Sequence, residues 1–175
     1  MTHMDTSNIR IGMGTDVHGF TPDRDLILGG VKIDHDRGLA GHSDADVLIH
    51  AVCDAILGAA GLGDIGGLFP DTDPKYKDID SRILLAASAR KLEQAGYRII
   101  NLDSTVFAQV PKLGPKKQQM AVSMAEILEI SPGCVNVKAT TTEHLGFIGR
   151  EEGIAAQAIV LIAPGTNPNI RDNMI

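Results

Sequence analysis

The sequence predicts a mixed α/β fold of the α+β class, in which helices cover one face of a single sheet. The first observation is the order of the predicted elements, which runs strands, helix, helix, strands, helix, strands without a repeat. The second is the last strand, residues 153–163, which is apolar at nearly every position, as strands buried on both faces are. Because three helices cover only one face, we expect copies of the chain to cover the other face in a homo-oligomer.

The composition argues against several classes of partner. The chain has 175 residues, of which 43% are hydrophobic and 22% charged, and its net charge is −6. This balance is typical of one globular domain, and an acidic chain lacks the basic footprint that nucleic acid or a membrane surface requires. The opening MTHMDTSN is polar, and no apolar run is long enough to span a bilayer. We therefore expect a cytoplasmic protein without nucleic-acid or membrane partners, in which Cys53 and Cys134 are reduced.

Local patterns predict the N-terminal elements. Residues 1–8 predict a disordered leader. The alternating run that follows predicts a strand over about 9–17. The segment LILGGVKI, 26–33, predicts a hairpin that closes on Gly29 and Gly30.

The stretch SDADVLIHAVCDAILGAAG has the strongest helical signal in the chain. Ser43 or Asp44 is the expected N-cap, acidic residues fill the first turn, and Gly61 ends the helix. The segment 61–81 is rich in Gly, Pro and Asp, and we expect a connection without structure of its own. Such long connections are usually lids or binding loops.

The second half of the chain supplies two helices and three strands. The predicted helices cover 81–95, with Gly96 as terminator, and about 115–129. The predicted strands are 97–110, which is one long strand or a pair, 134–141 and 153–163. Residues 164–175 predict a flexible tail, which leaves 9–163 as a single domain.

A candidate metal site lies in GTDVHGF. Asp16 and His18 are two residues apart, so on an extended chain both side chains point to one face. His50, on the following helix, could supply a third ligand. Three His and carboxylate ligands with one open position are typical of catalytic zinc, although two histidines and a carboxylate also serve non-haem iron. As a bare pattern, the pair is also compatible with a polar turn or with ordinary surface residues.

A polar stripe is predicted on the first helix, where His42, Asp46, His50 and Asp54 lie four apart. Such a stripe is usually the solvated face of an amphipathic helix, but here His and Asp replace the Lys and Glu typical of that face. Asp46, one turn before His50, could orient a ligand imidazole or simply complement the helix dipole. The stripe therefore favours a functional site without identifying it.

Three long runs resemble one family, namely GTDVHGF, HSDADVLIHAVCDAILGAAGLGDIGGLFPDTDP and VNVKATTTEHLGFIGREEGIA. They are similar to the 2-C-methyl-D-erythritol 2,4-cyclodiphosphate synthases of the non-mevalonate isoprenoid pathway, and the likeness covers about 9–163. The resemblance implies a homotrimer packed through its sheets, with active sites between neighbouring subunits. It also implies a phosphorus–oxygen lyase that converts 4-diphosphocytidyl-2-C-methyl-D-erythritol 2-phosphate to the 2,4-cyclodiphosphate and releases CMP.

The same resemblance implies two metal ions. It implies that Asp16, His18 and His50 bind Zn²⁺, with the β-phosphate of the substrate as fourth ligand. A second ion, Mg²⁺ or Mn²⁺, is implied between the α- and β-phosphates near Glu143. The nucleophile is the 2-phosphate of the substrate, which is already ionised at neutral pH. The lack of a Ser/His/Asp or Cys/His motif therefore agrees with this chemistry, which needs positioning and charge neutralisation.

Substrate-binding residues are also implied by the resemblance. His42 and Ser43 correspond to residues that contact phosphate, and a helix N-terminus would offer free amides to such an anion. Without the resemblance, Ser43 would be read as a plain N-cap. Asp64 and Gly66 correspond to residues that bind the erythritol hydroxyls, although Asp64 could equally be a turn residue.

The remaining implied residues fall in two segments. FPDTDP, which contains Asp71 and Asp73, corresponds to a mobile loop that closes over the substrate. Thr141 and Glu143 correspond to catalytic positions. The residues implied to bind cytosine and the nucleotide phosphates are Ala108, Pro111, Lys112, Leu113, Gly114, Thr140 and Thr141.

One position departs from the family pattern. Gln157 stands where family members often have an acid, near the trimer axis and beside Phe147 and Arg150. In some relatives this axial cavity holds an isoprenoid diphosphate, with the arginine on the phosphates. The resemblance implies that such a ligand could bind here and regulate the enzyme, with a tuning that the missing acid alters.

Two other functions stay open from the sequence. One is a metal-dependent phosphohydrolase, in which zinc activates water instead of binding a phosphate that another phosphate attacks. The other is a metal-stabilised trimer that carries isoprenoid phosphates without catalysis. Analysis of the products separates these functions from the cyclising enzyme.

Overall fold

A five-stranded sheet forms the centre of the molecule. The computed structural model describes residues 8–70, 73–76 and 78–165. The strands of the sheet are β1 (Arg10–Thr21), β4 (Gly38–Leu39), β5 (Tyr97–Phe107), β6 (Val135–Thr140) and β7 (Gly153–Pro164). Their order is β4-β1-β7-β5-β6, in which β5 and β6 are parallel and all other neighbours antiparallel. A separate hairpin consists of β2 (Leu26–Leu28) and β3 (Val31–Ile33).

Three long helices pack on one face of this sheet. The α-helices are α1 (Val47–Ala60), α2 (Ile65–Leu68), α3 (Ser81–Gln94), α4 (Lys117–Ile127) and α5 (Gly146–Gly149). Single 3₁₀ turns lie at Pro74–Tyr76, Gly114–Lys116 and Pro132–Cys134. Helix α1 lies across β1 and β7, and α4 lies beside β6. The predicted α+β class with helices on one face is confirmed, and so are the hairpin and the three long helices.

The first strand is longer than predicted. It continues to Thr21, because β7 pairs with it residue by residue as far as Gly19 opposite Gly153. Asp16 and His18 therefore lie inside the strand rather than at its end. The hairpin closes as predicted, with Gly29 and Gly30 both in the left-handed region at φ 60° and 72°.

The start of α1 was predicted too early. Its N-cap is Asp46, whose side chain accepts the N–H of Ile49 at 3.0 Å. Ala45 has a positive φ of 59°, which interrupts the helix before that point. The Ser43 hydroxyl accepts the Ala45 N–H instead of capping the helix, and Asp44 bonds elsewhere. The predicted caps and the acidic first turn are therefore wrong, whereas Gly61 ends the helix in the αL conformation as expected.

Helix α1 lies unusually close to β1. A Cβ placed on Gly14 would lie 2.7 Å from the Ala55 nitrogen and would also strike the Ala51 carbonyl oxygen. A Cβ placed on Gly12 would likewise strike the backbone of Ala59. These glycines let the helix backbone pack directly on the strand, which brings the first turn of α1 next to the middle of β1.

The opposite face of the sheet is open in the single chain. Ile11, Met13 and Val17 of β1 are 72%, 63% and 49% exposed on this face, and Ile159 of β7 is 46% exposed. In the single chain, β7 is therefore covered on its helix side, and Ile159 is exposed on the side that we expect another copy to cover. The face is apolar along β1 and β7, as expected of a surface that another copy covers.

The predicted loop 61–81 has structure of its own. It contains α2 and the 3₁₀ turn at Pro74–Tyr76, so the prediction of an unstructured connection is wrong. Strand β7 extends to Pro164, one residue into the predicted tail, while 1–7 and 166–175 lie outside the described residues. Across the part of the chain that the structure describes, no helix has the length and apolar character needed to cross a bilayer.

Candidate metal centre

Two neighbouring elements present three ligand side chains to one point. Asp16 and His18 are alternate residues of β1, on the face that α1 covers, and His50 lies in the first turn of α1. The Asp16 Oδ2 atom is 2.9 Å from His18 Nε2 and 3.0 Å from His50 Nδ1, and the two nitrogens are 3.1 Å apart. The predicted metal ligands therefore come together, and their ligand atoms form a compact triangle.

The donor set fits a divalent cation. With bonds of about 2.0–2.2 Å, tetrahedral zinc separates its N and O ligands by roughly 3.3 Å, which a small spreading of this triangle provides. His18 Nδ1 lies 2.6 Å from the Ala40 carbonyl oxygen and donates to it, so Nε2 keeps its lone pair. A carboxylate and imidazole nitrogens that point at one another are the ligand types of zinc and of other divalent transition metals.

The electrostatics of the site also favour a cation. Burial raises the pKa of Asp16, but when the rings of His18 and His50 carry hydrogens on both nitrogens, their hydrogen bonds and charges outweigh burial and hold that pKa well below its usual range. Burial lowers the pKa of His18, and the hydrogen bond and charge of Asp16 more than reverse this, so the pKa is raised. The environment therefore stabilises a negative carboxylate beside positive charge.

A cavity of about 340 Å³ adjoins this centre. His18 and His50 line it at one end, together with His42 and Ser43 from the segment before α1. Its other walls are Gly41, Ile65, Gly66, Phe69, Tyr76, Ile79 and Leu84. A polar end with ligand histidines and a largely apolar wall suits a small molecule with an anionic group on a carbon skeleton.

The loop residues implied by the resemblance have local partners. The Asp64 Oδ1 atom accepts the Gly67 N–H at 2.7 Å and caps α2, which places Gly66 at the wall of the cavity. Asp73 pairs with Lys75 at 2.7 Å. Asp71 lies outside the described residues.

A second, smaller cavity of about 140 Å³ lies at the ends of β5 and β6. It brings together every residue that the resemblance assigns to cytosine and the nucleotide phosphates. Its lining consists of Ala108, Pro111, Lys112, Leu113, Gly114, Lys117, Ala139, Thr140 and Thr141. These residues come from the loop after β5, the start of α4 and the end of β6.

The two cavities lie at the same end of the sheet but on different strands. Val17 of β1 faces Ala155 of β7, which faces Phe107 of β5, which in turn faces Thr140 of β6. At about 4.8 Å per strand, this row separates the β1 and β6 backbones by about 14 Å. In one chain, therefore, the metal centre and the second cavity are separate.

The other implied residues lie on the turn between β6 and β7. The Thr141 hydroxyl donates to Glu143 Oε1 at 2.8 Å, and Glu143 is exposed with a φ of 52°. Phe147 of α5 is 40% exposed, and Arg150 forms an ion pair with Glu152 at 2.7 Å. Gln157 lies on the open face of β7, where its side chain approaches the Met13 sulfur.

The sequence interpretation missed what surrounds His50. Asp46 does not orient that imidazole, because its carboxylate accepts the N–H groups of Gly29 and Gly30 in the hairpin. The Nε2 atom of His50 instead lies 3.0 Å from the hydroxyl oxygen of Ser81, which begins α3. No spacing signal connects two residues 31 positions apart. Of the two roles that the sequence left open for Asp46, orienting the ligand is therefore wrong, and the residue lies at the N-terminus of α1 as its N-cap.

Comparison with known proteins agrees with this geometry. Residues 9–163 match the model of the YgbB family. A relative from Thioalkalivibrio sulfidiphilus, named 2-C-methyl-D-erythritol 2,4-cyclodiphosphate synthase, is 58% identical over 156 residues, which are 89% of this chain and 98% of that protein.

Two solved structures have the same fold. The bifunctional IspDF of Campylobacter jejuni is 51% identical with a TM-score of 0.87, and the match covers 89% of this chain but 42% of that longer protein. A CDP complex of IspF from Plasmodium falciparum is 36% identical with a TM-score of 0.79, over 90% of this chain and 97% of that one. Because the family model matches residues 9–163, which is most of its length, this chain belongs to the YgbB family.

Proposed function

We propose that this protein is a 2-C-methyl-D-erythritol 2,4-cyclodiphosphate synthase. In the proposed reaction, an oxygen of the substrate's 2-phosphate forms a bond to the β-phosphorus. The bond from that phosphorus to the α-phosphate oxygen breaks, and CMP leaves with both electrons of the broken bond. The observation that carries the proposal is the ligand triangle of Asp16, His18 and His50 at the mouth of a cavity, in a chain that is 58% identical to a named synthase.

The residues of the chain would bind and orient a flexible, highly charged substrate. His42 and Ser43 line the polar end of the first cavity and are placed to hold phosphate oxygens. Ile65 and Phe69 contribute the apolar wall, which would exclude water from the carbon skeleton and disfavour hydrolysis. Holding two phosphates of one molecule in line can supply much of the rate enhancement without a protein nucleophile.

We propose zinc for the Asp16, His18 and His50 site, and Mg²⁺ or Mn²⁺ for a second site at Glu143. When bound there, the two ions would supply Lewis acidity and charge neutralisation to the phosphates. Thr141 and Glu143 are hydrogen-bonded at the rim of the second cavity, where they would hold the nucleotide phosphates and their counter-ion.

The second cavity is proposed as the cytidine site, and the active site as shared between subunits of a homotrimer. The roughly 14 Å between the β1 and β6 backbones in one chain supports this. The apolar open face supplies a surface for trimer contacts, with Ile11 and Ile159 exposed on it. The CDP complex of the Plasmodium falciparum protein also supports a cytidine nucleotide as ligand.

Two minor parts of the proposal follow from the sequence. Phe147 and Arg150 would line an axial cavity that accepts an isoprenoid diphosphate, with Gln157 in place of the usual acid. We also propose a cytoplasmic location, since Cys53 and Cys134 are free thiols.

Product analysis tests the proposed function. The protein, supplied with Zn²⁺ and Mg²⁺, is incubated with the cytidyl substrate, and phosphorus NMR follows the products. We expect CMP and the cyclic diphosphate in equal amounts. CMP with a linear phosphorylated product would make the protein a phosphohydrolase and overturn the proposal. Binding of isoprenoid diphosphate without any turnover would instead make it a carrier.

A further inference from the structure

We propose that Ser81 is a positioning residue of the metal centre. Its hydroxyl oxygen accepts the Nε2–H of His50, which keeps the other ring nitrogen, Nδ1, as a lone pair facing Asp16 and His18. The inference rests on the proposed metal-dependent function and names how the chain prepares one ligand for the ion. Ser81 itself is 0% exposed, at the first position of α3.

The direction of the hydrogen bonds follows from Asp44. This carboxylate accepts both the hydroxyl of Ser81 at Oδ1 and the backbone N–H of Ser81 at Oδ2, the latter at 3.2 Å. An ionised carboxylate can only accept hydrogen bonds. The hydroxyl hydrogen of Ser81 is therefore committed to Asp44, and its oxygen is left to act as an acceptor on the other side.

His50 is the group on that other side. Its Nε2 atom lies 3.0 Å from the Ser81 oxygen, while its Nδ1 atom lies 3.0 Å from Asp16 Oδ2 and 3.1 Å from His18 Nε2. With the hydrogen on Nε2, the neutral ring turns a lone pair toward the ligand triangle. In His18 the Ala40 carbonyl oxygen accepts the hydrogen of Nδ1, which leaves the lone pair of Nε2 directed at the triangle. Each imidazole is thus oriented from outside the triangle.

Ser43 has a different role, although its oxygen lies 3.1 Å from the same nitrogen. The oxygen of Ser43 already accepts the Ala45 N–H, and Ser43 lines the cavity. Ser81 supplies the acceptor that the imidazole needs, and the Ser43 oxygen lies 3.5 Å from the Ser81 oxygen, beyond the usual length of an O–H···O bond. The hydroxyl hydrogen of Ser43 is therefore available to a phosphate oxygen in the cavity. The buried serine therefore orients the ligand, and the lining serine faces the substrate.

The test compares two serines of α3. Ser81→Ala removes the proposed acceptor, and Ser88→Ala is the matched control, because Ser88 is also 0% exposed on α3 and its hydroxyl donates to the Leu84 carbonyl oxygen of the same helix. Competition with a chromophoric chelator measures the zinc dissociation constant. Loss of an outer partner of a metal ligand typically weakens binding 10- to 100-fold. We expect a loss of about this size for Ser81→Ala and no comparable loss for Ser88→Ala.

A spectroscopic readout separates positioning from general destabilisation. In zinc-loaded protein with ¹⁵N-labelled histidine, we expect a slowly exchanging Nε2–H signal from His50 in wild type and in Ser88→Ala. The signal should shift and exchange faster in Ser81→Ala, and turnover should recover at saturating zinc. Equal zinc affinity in the two variants, or a wild-type His50 ring protonated at Nδ1, would overturn the inference. If Ser81→Ala does not fold, the wild-type spectrum alone decides.

The zinc measurements need no substrate, so they distinguish the two proposals. Ser81-dependent zinc binding in a protein that makes no cyclic product would refute the proposed reaction and leave the positioning role intact. If the protein makes the cyclic product but Ser81→Ala leaves its zinc affinity unchanged, the proposed reaction stands and the positioning role is refuted.

Discussion

The imidazoles of His18 and His50 meet edge to face, with Nε2 of the first 3.1 Å from Nδ1 of the second. Two ring nitrogens at this distance, both beside one Asp16 oxygen, can each turn a lone pair toward a shared ion. We therefore expect His18→Ala and His50→Ala to lose bound zinc and to lower turnover by about three orders of magnitude, since a Lewis-acid metal supplies several kcal/mol to the transition state. Metal content and CMP release measure both effects, and an unchanged circular dichroism spectrum shows that the fold persists. Full activity in a zinc-free variant would refute the assignment.

The close approach of α1 to β1 can be tested at two glycines. In Gly14→Ala the new Cβ would lie 2.7 Å from the Ala55 nitrogen, so we expect a loss of about 3 kcal/mol in unfolding free energy together with weaker zinc binding. Gly58 lies on the exposed side of the same helix, where a Cβ would meet no described atom within 4 Å apart from its chain neighbours and the nearby helix backbone. Gly58→Ala should therefore stabilise the protein by about 1 kcal/mol. Urea unfolding compares the two variants. Equal unfolding free energies for Gly14→Ala and Gly58→Ala would show that α1 can move away from β1 without loss of stability.

The buried carboxyl of Asp46 should make stability depend on pH. Burial raises the pKa of Asp46 to about 6 in the folded chain, despite hydrogen bonds from Gly30, Ile49 and Gly29. The stability that its protonated form contributes is complete below about pH 4, the ordinary pKa of an Asp, and is lost as pH rises through 6. The stability advantage of wild type over Asp46→Asn should therefore shrink by about 3 kcal/mol between pH 4 and pH 8. Parallel pH profiles in urea unfolding would contradict the raised pKa.

The role of the open face of the sheet in assembly can be tested by placing a charged side chain on it. Ile159→Lys should reduce the mass measured by light scattering from three chains to one and abolish turnover, because lysine cannot be buried there unpaired. Zinc affinity should persist, because all three ligands belong to one chain. Ile83→Lys is the matched control, since Ile83 is 54% exposed on α3, and its mass should not change. A trimeric, active Ile159→Lys protein would exclude this face from the assembly.

A shared active site predicts complementation. His50→Ala damages the metal centre, and Gly114→Phe fills the second cavity, at a position where no described residue other than the two chain neighbours of Gly114 lies within 4 Å of the new Cβ. Each variant alone should be inactive. When the two are co-expressed, some interfaces join an intact metal centre of one chain to an intact second cavity of another, and activity should return. Mixed trimers without activity would place the whole site within one chain.

The periodic elements of the fold could be predicted from the sequence, because their signals are local. The Gly29 and Gly30 turn, the body of α1 and its Gly61 end follow from residues that are neighbours in the chain. The predicted start of α1 was wrong, because competing hydrogen bonds decide it, one of them to a residue far along the chain. Asp44 bonds to Ser81 and Ser43 to Ala45, and no pattern of caps reveals such choices.

The site was predictable only to the extent that its residues belong to recognisable runs. Alternation along β1 places Asp16 and His18 on one face, and the following helix offers His50 as a third ligand, but the residue pattern alone left open whether the three form a metal site. The contact of His50 with Ser81 depends on how α3 packs against α1, which is a tertiary relationship. The apolar wall of the larger cavity, with Phe69 and Ile79, was missed for the same reason, since scattered apolar residues of a polar loop have no period.

The sheet order also fixes when the metal site can form during synthesis. All three ligands lie within the first 50 residues, yet β1 is held along its length by β7, the last strand to be made. A ribosome-bound chain that ends before Gly153 has every ligand but lacks the strand that joins β1 to β5 in the sheet. Metal uptake therefore reports that the whole domain has been synthesised and closed, and truncated products should remain metal-free.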